Sequence, residues 1–119
     1  MFIVNTGVPP KSNVVGAIDI ITRELRNLSD FAASHSVRIA LEPLNATAMN
    51  TETAIWTISQ ALDIVDAVDR SNVGICLDLW NNWQDARIED EIRRADDRIF
   101  VLQVSNWRTP HSSGRITGF

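Results

Sequence analysis

Val73-Gly74-Ile75-Cys76-Leu77-Asp78 carries five apolar or small residues in a row and stops at a carboxylate. An unbroken apolar run, rather than an alternating one, suits a strand buried on both faces, as in the interior of a parallel sheet. Three further runs have the same character: Phe2-Ile3-Val4, Val37 to Leu41, and Ile99 to Val104. The segments between them have helical spacing. Val14, Ile18, Ile21, Leu25, Leu28 and Ala32 step by four and three and make one apolar stripe. Ile55, Ile58, Leu62 and Val65 repeat the pattern around Trp56, with Asn50 or Thr51 as the expected N-cap. A shorter helix is expected from about Asp85 to Ala95, with Ile88, Ile92 and Ala95 turned inward.

Strands alternating with single helices imply parallel neighbours joined by right-handed crossovers. A doubly wound sheet and a (β/α)8 barrel share this rhythm. A barrel needs about 250 residues, so a chain of 119 can hold only part of one. Residues 1–119 read as a single domain without linker or low-complexity tract, and Gly114 to Phe119 read as a loop.

A net charge of -4 and 22% charged residues describe an ordinary globular chain and argue against a nucleic-acid or membrane-surface binder. The eleven basic residues are scattered and read as solvated helix faces. No apolar run approaches the ~20 residues of a membrane span, and no signal peptide opens the chain, so a cytoplasmic location is expected. The single cysteine, Cys76, excludes an intrachain disulfide. Its apolar surroundings predict a buried structural thiol rather than a nucleophile.

The strand ends carry the chemistry. Arg38-Ile39-Ala40-Leu41 leads to Glu42, Gly74-Ile75-Cys76-Leu77 to Asp78, and Ile99-Phe100-Val101-Leu102 to Gln103, while the first strand ends in Asn5-Thr6-Gly7. Carboxyl ends of parallel strands form the active-site rim of α/β folds. Two carboxylates and an amide would then converge on one side of the sheet. Paired carboxylates in a low-dielectric pocket need a proton, an Arg or a cation, and oxygen donors suit a hard dication. The alternative is that Glu42 and Asp78 only cap nearby loops or helices.

Leu41-Glu42-Pro43-Leu44-Asn45, then Val73 to Asp78, then Val104-Ser105-Asn106-Trp107 followed by Arg115-Ile116-Thr117-Gly118, resembles the xylose isomerase-like TIM-barrel family of sugar phosphate isomerases and epimerases. The likeness covers nearly the whole chain and implies strands four to seven of the barrel, with strands one to three and eight missing. It implies Glu42, Asp78 and Gln103 as metal ligands, Mn²⁺ or Mg²⁺ before Zn²⁺ or Co²⁺. Glu42 would also be the catalytic proton-transfer group, working through an enediolate. Arg115, in an Arg-x-x-Gly loop, would bind substrate oxygens. Asn81 stands where the family pattern has His, and Asn106 where it has Asp; both lower the charge and basicity of the site. Gln103 stands where His is usual and is compatible with dehydratase-like members. The expected activity is isomerisation or epimerisation of a sugar or sugar phosphate, with the fragment alone inactive. Two other readings are a dehydratase acting on a polyhydroxylated acid such as 3-dehydroshikimate, and a metal-free binding module. The expected partner is a small sugar or polyol acid, with no nucleic acid or membrane. A homo-oligomer is a candidate state of the full-length protein, and part of a barrel by itself should self-associate through its apolar edges.

Trp80, Trp83 and Trp107 follow strand ends and could pack on sugar C–H surfaces, or only on loops. Trp80, Trp107 and Asn81 join Arg115 as candidate substrate contacts. His111 lies in a turn-rich stretch and reads as a solvated loop residue. His35 closes the first helix, where its charge suits the dipole.

Overall fold

The structure, a computed structural model, describes residues 1–105. Four strands, β1 (Phe2–Val4), β2 (Ile39–Leu41), β3 (Val73–Asp78) and β4 (Ile99–Gln103), pair in that order, each parallel to the next. Helices α1 (Val14–Ser34), α2 (Ile58–Val68), α3 (Leu79–Asn82) and α4 (Ile88–Ala95) lie between them in sequence. The strand order separates the two architectures that share a β/α rhythm. Right-handed crossovers that always step to the next strand put their helices on one face; a doubly wound sheet must reverse its order. The chain is an arc of a (β/α)8 barrel.

The pleat sorts the side chains into two sets. Ile39, Leu41, Val73, Ile75 and Leu77 join the core with Leu25 and Ala32 of α1, Ile58, Leu62, Val65 and Val68 of α2, and Ala95 of α4. Ala40, Glu42, Gly74, Cys76 and Asp78 have the opposite parity and face the barrel interior. Cys76 is fully buried, as its apolar run implies.

α1 starts where Asn13 Oδ1 accepts from Gly16 N at 3.0 Å, and ends at His35, whose ring rests on Phe31 with centroids 4.6 Å apart. α2 starts later than the sequence periodicity suggests. Its N-cap is Thr57, not Asn50 or Thr51, and Trp56 precedes the helix. Gln60 N donates to Thr57 Oγ1 at 3.1 Å, and Thr57 N donates to Gln60 Oε1 at 3.1 Å. This reciprocal box satisfies two otherwise orphaned donors and outcompetes an earlier start. Ile55 is nonetheless fully buried, reaching the core from the preceding loop.

The outer layer is tied by charge. Arg94 of α4 donates to Asp63 at 2.6 Å and Asp66 at 2.7 Å on α2, and Arg98 pairs with Asp66 as well. Arg26 of α1 donates to the carbonyls of Ala67 and Val68, satisfying orphan acceptors at the α2 C-terminus.

β3 and β4 do not pair in simple register. Ile75 faces Ile99, but Cys76 faces Val101 and Asp78 faces Gln103, so β4 accommodates one extra residue, Phe100. At the free edge of β1, Phe2 and the neighbouring Phe31 of α1 are each 66% exposed, in line with the apolar edge expected of part of a barrel. Among the described residues no helix is long and apolar enough to cross a membrane.

Candidate active site at the carboxyl ends of the strands

Glu42 follows β2 immediately, and its backbone N–H donates to Val4 O at 3.0 Å, extending the β1–β2 ladder by one residue. That bond fixes the direction of the side chain, and Pro43, also buried, fixes the path of the chain beyond it. Glu42 is only 8% exposed. Asp78 ends β3 and is half-buried. Its Oδ1 accepts from Trp80 N at 2.8 Å, which makes it the N-cap of α3. α3 is a single turn absent from the sequence-based reading, set off by that cap.

The two carboxylates meet through one amide. Asn81 Nδ2 donates to Glu42 Oε1 at 3.2 Å and to Asp78 Oδ2 at 3.0 Å. Glu42 Oε2 accepts from Asn5 Nδ2 at 3.2 Å. Each of the four carboxylate oxygens therefore receives one N–H from a neutral donor. Among the described residues no ion pair involves Glu42 or Asp78. Gln103, half-buried, stands level with Asp78 across the β3–β4 ladder.

The surrounding loops are pinned in place. Asn45 N donates to Asn81 Oδ1 at 3.2 Å, and Asn45 Nδ2 donates to Asn81 O at 3.3 Å. Thr6, just past β1, takes Ala54 N at 2.9 Å and meets Thr53 Oγ1 at 3.2 Å, fastening the loop after β2 to the end of β1. Cys76 lies one pleat below Asp78. Burial pushes its thiol up to about 11, helped by the negative charges of Glu42 and then Asp78.

The donor set fits a hard dication in kind. Glu42 and Asp78 offer carboxylate oxygen with no cationic partner among the described residues, each oxygen keeps a lone pair beyond its single hydrogen bond, and Gln103 can add an amide oxygen. Among the described residues no three His, Cys, Asp or Glu side chains gather into one metal-sized cluster, so further ligands would have to come from Gln103, water, substrate or other parts of the protein.

Asn5 and Asn45 are the contributors that sequence reasoning passed over. Both were visible, Asn5 at a polar strand end and Asn45 in Glu42-Pro43-Leu44-Asn45, but neither carries charge. Trp80 is 41% exposed and Trp83 44%. Trp107, Arg115, Asn106 and His111 lie outside the described residues.

Parallel strands in sequential order, with acidic and amide side chains gathered at their carboxyl ends, define part of an α/β barrel. The family model described as xylose isomerase-like TIM barrel matches residues 2–118, and the chain belongs to that family. The inosose isomerase of Bacillus licheniformis is 32% identical over 83 residues, which are 69% of this chain and 28% of that protein. The chain thus spans less than a third of the length of that relative. A protein from Sinorhizobium meliloti superposes with a TM-score of 0.83 at 22% identity, over 92% of this chain and 42% of the other. The 3-keto-D-glucoside 4-epimerase of E. coli gives 0.67 at 20% identity, over 87% and 40%. These structures share the fold.

Proposed function

We propose that the full-length protein isomerises or epimerises a sugar, sugar phosphate or related polyhydroxylated ketone, with Glu42, Asp78 and Gln103 holding a divalent metal. The observation that carries this reading is the joining of Glu42 and Asp78 through Asn81 Nδ2, with no cation to balance them among the described residues. The relation to an enzyme named inosose isomerase supports the choice of a polyhydroxylated ketone. Oxygen donors favour Mn²⁺ or Mg²⁺ over Zn²⁺ or Co²⁺. When bound, such an ion polarises substrate oxygens and stabilises negative charge that develops on them.

The chain's own residues would do the rest. Glu42 is the proton-transfer group: it is buried, and Asn5 and Asn81 hold both of its oxygens in fixed directions. Trp80, whose backbone N–H donates to Asp78, is exposed and offers a ring suited to the C–H face of a sugar. Arg115 keeps the substrate-binding assignment implied by the family pattern, and Trp107 the one suggested by its indole ring after a strand end. Asn81 gives its amide hydrogens to the carboxylates, so its contact with substrate is limited to the second lone pair of Oδ1. Gln103 favours a second reading, dehydration of a polyhydroxylated acid.

The test uses the full-length protein, metal-stripped and then titrated with Mn²⁺. Products are followed with inosose, ketoses and 3-dehydroshikimate as substrates. Interconversion of a ketone substrate, lost by at least about a hundredfold in Glu42→Gln, supports the proposal. Turnover of dehydroshikimate alone transfers the site to the dehydratase reading. Absence of both Mn²⁺ binding and turnover leaves a binding module.

A further inference from the structure

We infer that Asn81 is a positioning residue that sets the spacing of Glu42 and Asp78 for one shared dication, and that Asn45 holds it in that role. The inference rests on the metal reading given above and assigns the device that makes the two carboxylates a single site. Asn81 replaces the histidine of the family pattern, and its chemistry differs. A primary amide has two N–H bonds on one nitrogen. Both are used here, one toward Asp78 Oδ2 at 3.0 Å and one toward Glu42 Oε1 at 3.2 Å. A neutral imidazole has a single N–H and could serve only one carboxylate.

The orientation of the amide is fixed by its other end. Asn81 Oδ1 accepts from Asn45 N at 3.2 Å. If the amide were turned over, Oδ1 would face two carboxylate oxygens and Nδ2 would face a backbone N–H, so both contacts would become repulsive. Asn45 Nδ2 also donates to Asn81 O at 3.3 Å, securing the backbone. Asn45 in turn caps the short turn Ala46–Ala48 through Thr47 N at 3.0 Å. The loop after β2 therefore orients a residue of α3, which orients the ends of β2 and β3. Hydrogen-bonded supports of this kind set metal affinity because they fix ligand direction before the ion arrives.

The experiment is Mn²⁺ binding to the metal-stripped full-length protein, read by isothermal titration and by the electron paramagnetic resonance spectrum of the bound ion. Asn81→Leu keeps the number and branching of the side-chain heavy atoms and removes both donors. The expected result is a dissociation constant raised by about tenfold or more, with a bound-ion spectrum altered in width. Asn81→His should fall between Leu and the natural residue, because it restores one donor. Asn45→Ala leaves both carboxylate donors in place and should raise the constant by a smaller factor, which keeps the test open if Asn81→Leu fails to fold. Thermal melting without metal separates a folding defect from a site defect. If the natural protein binds Mn²⁺ and the Asn81 and Asn45 variants bind it equally well with unchanged spectra, the positioning role is overturned and the metal reading stands. If the natural protein does not bind Mn²⁺, both are overturned.

Discussion

Asn5 Nδ2 donates to Glu42 Oε2 at 3.2 Å, across the ends of two neighbouring parallel strands. The bond ties the first β/α unit of the chain to the carboxylate on which the site is built. Glu42 is 8% exposed, so a lost donor there is not fully replaced by water. Asn5→Ala should lower folding stability by about 1–2 kcal/mol, read as a reduced denaturation midpoint at unchanged slope. Asn5→Asp should cost more, since it sets a like charge against Glu42. A stability indistinguishable from the natural protein in both variants would mean that the contact contributes nothing.

Gly74 of β3 packs tightly against the start of β4 and the residue before it. A Cβ there would lie 2.4 Å from the Arg98 carbonyl oxygen and 2.8 Å from the Phe100 ring. The first neighbour is backbone and cannot swing aside. Gly74→Ala should therefore destabilise the protein by about 1–3 kcal/mol through overpacking, against the usual gain from removing a glycine inside a strand. Equilibrium unfolding in urea measures it; a variant as stable as the parent would contradict the close approach.

Cys76 should be inert in the folded protein. Its thiol is pushed up from 9.0 to about 11, first by burial and then by the charges of Glu42 and Asp78. At about pH 8, below the ordinary thiol range, a disulfide reagent should modify it far more slowly in the native than in the urea-unfolded state. The unfolded thiol ionises near its ordinary value and the folded one does not, so the unfolded state gains as pH rises. The thiol's contribution to stability is whole below pH 9.0 and is lost between there and about 11. Cys76→Ser should flatten that part of the stability curve, and an unchanged curve would point to another group.

Much of the fold was legible because burial on two faces leaves a plain mark. Val73 to Leu77 and the stripe from Val14 to Ala32 could be placed without coordinates, since a buried strand leaves continuous apolar residues and an amphipathic helix a period near 3.6. The start of α2 was not placed correctly. Ile55 and Trp56 continue the helical spacing, yet Thr57-Ile58-Ser59-Gln60 contains the box that begins the helix, and that local chemistry outweighs periodicity. α3 escaped notice because one turn is too short to have a period. At the site, Glu42 and Asp78 were visible as charges that end apolar runs. Asn5, Asn45 and the bracing role of Asn81 were not, because an asparagine near a strand end reads first as a turn former. Only coordinates tell which of its two amide ends meets which neighbour.

The extra residue in β4 acts as a phase correction. Were Phe100 paired in simple sequence after Ile99, Leu102 would arrive opposite Asp78, and an aliphatic side chain would stand at the mouth of the barrel. With Phe100 set aside, Cys76 meets Val101 and the amide of Gln103 arrives there instead. Closing the bulge with Phe100 kept in the ladder would shift everything after Ile99 by half a pleat repeat, exchanging the oxygen at that position for oil without altering any residue at the rim itself.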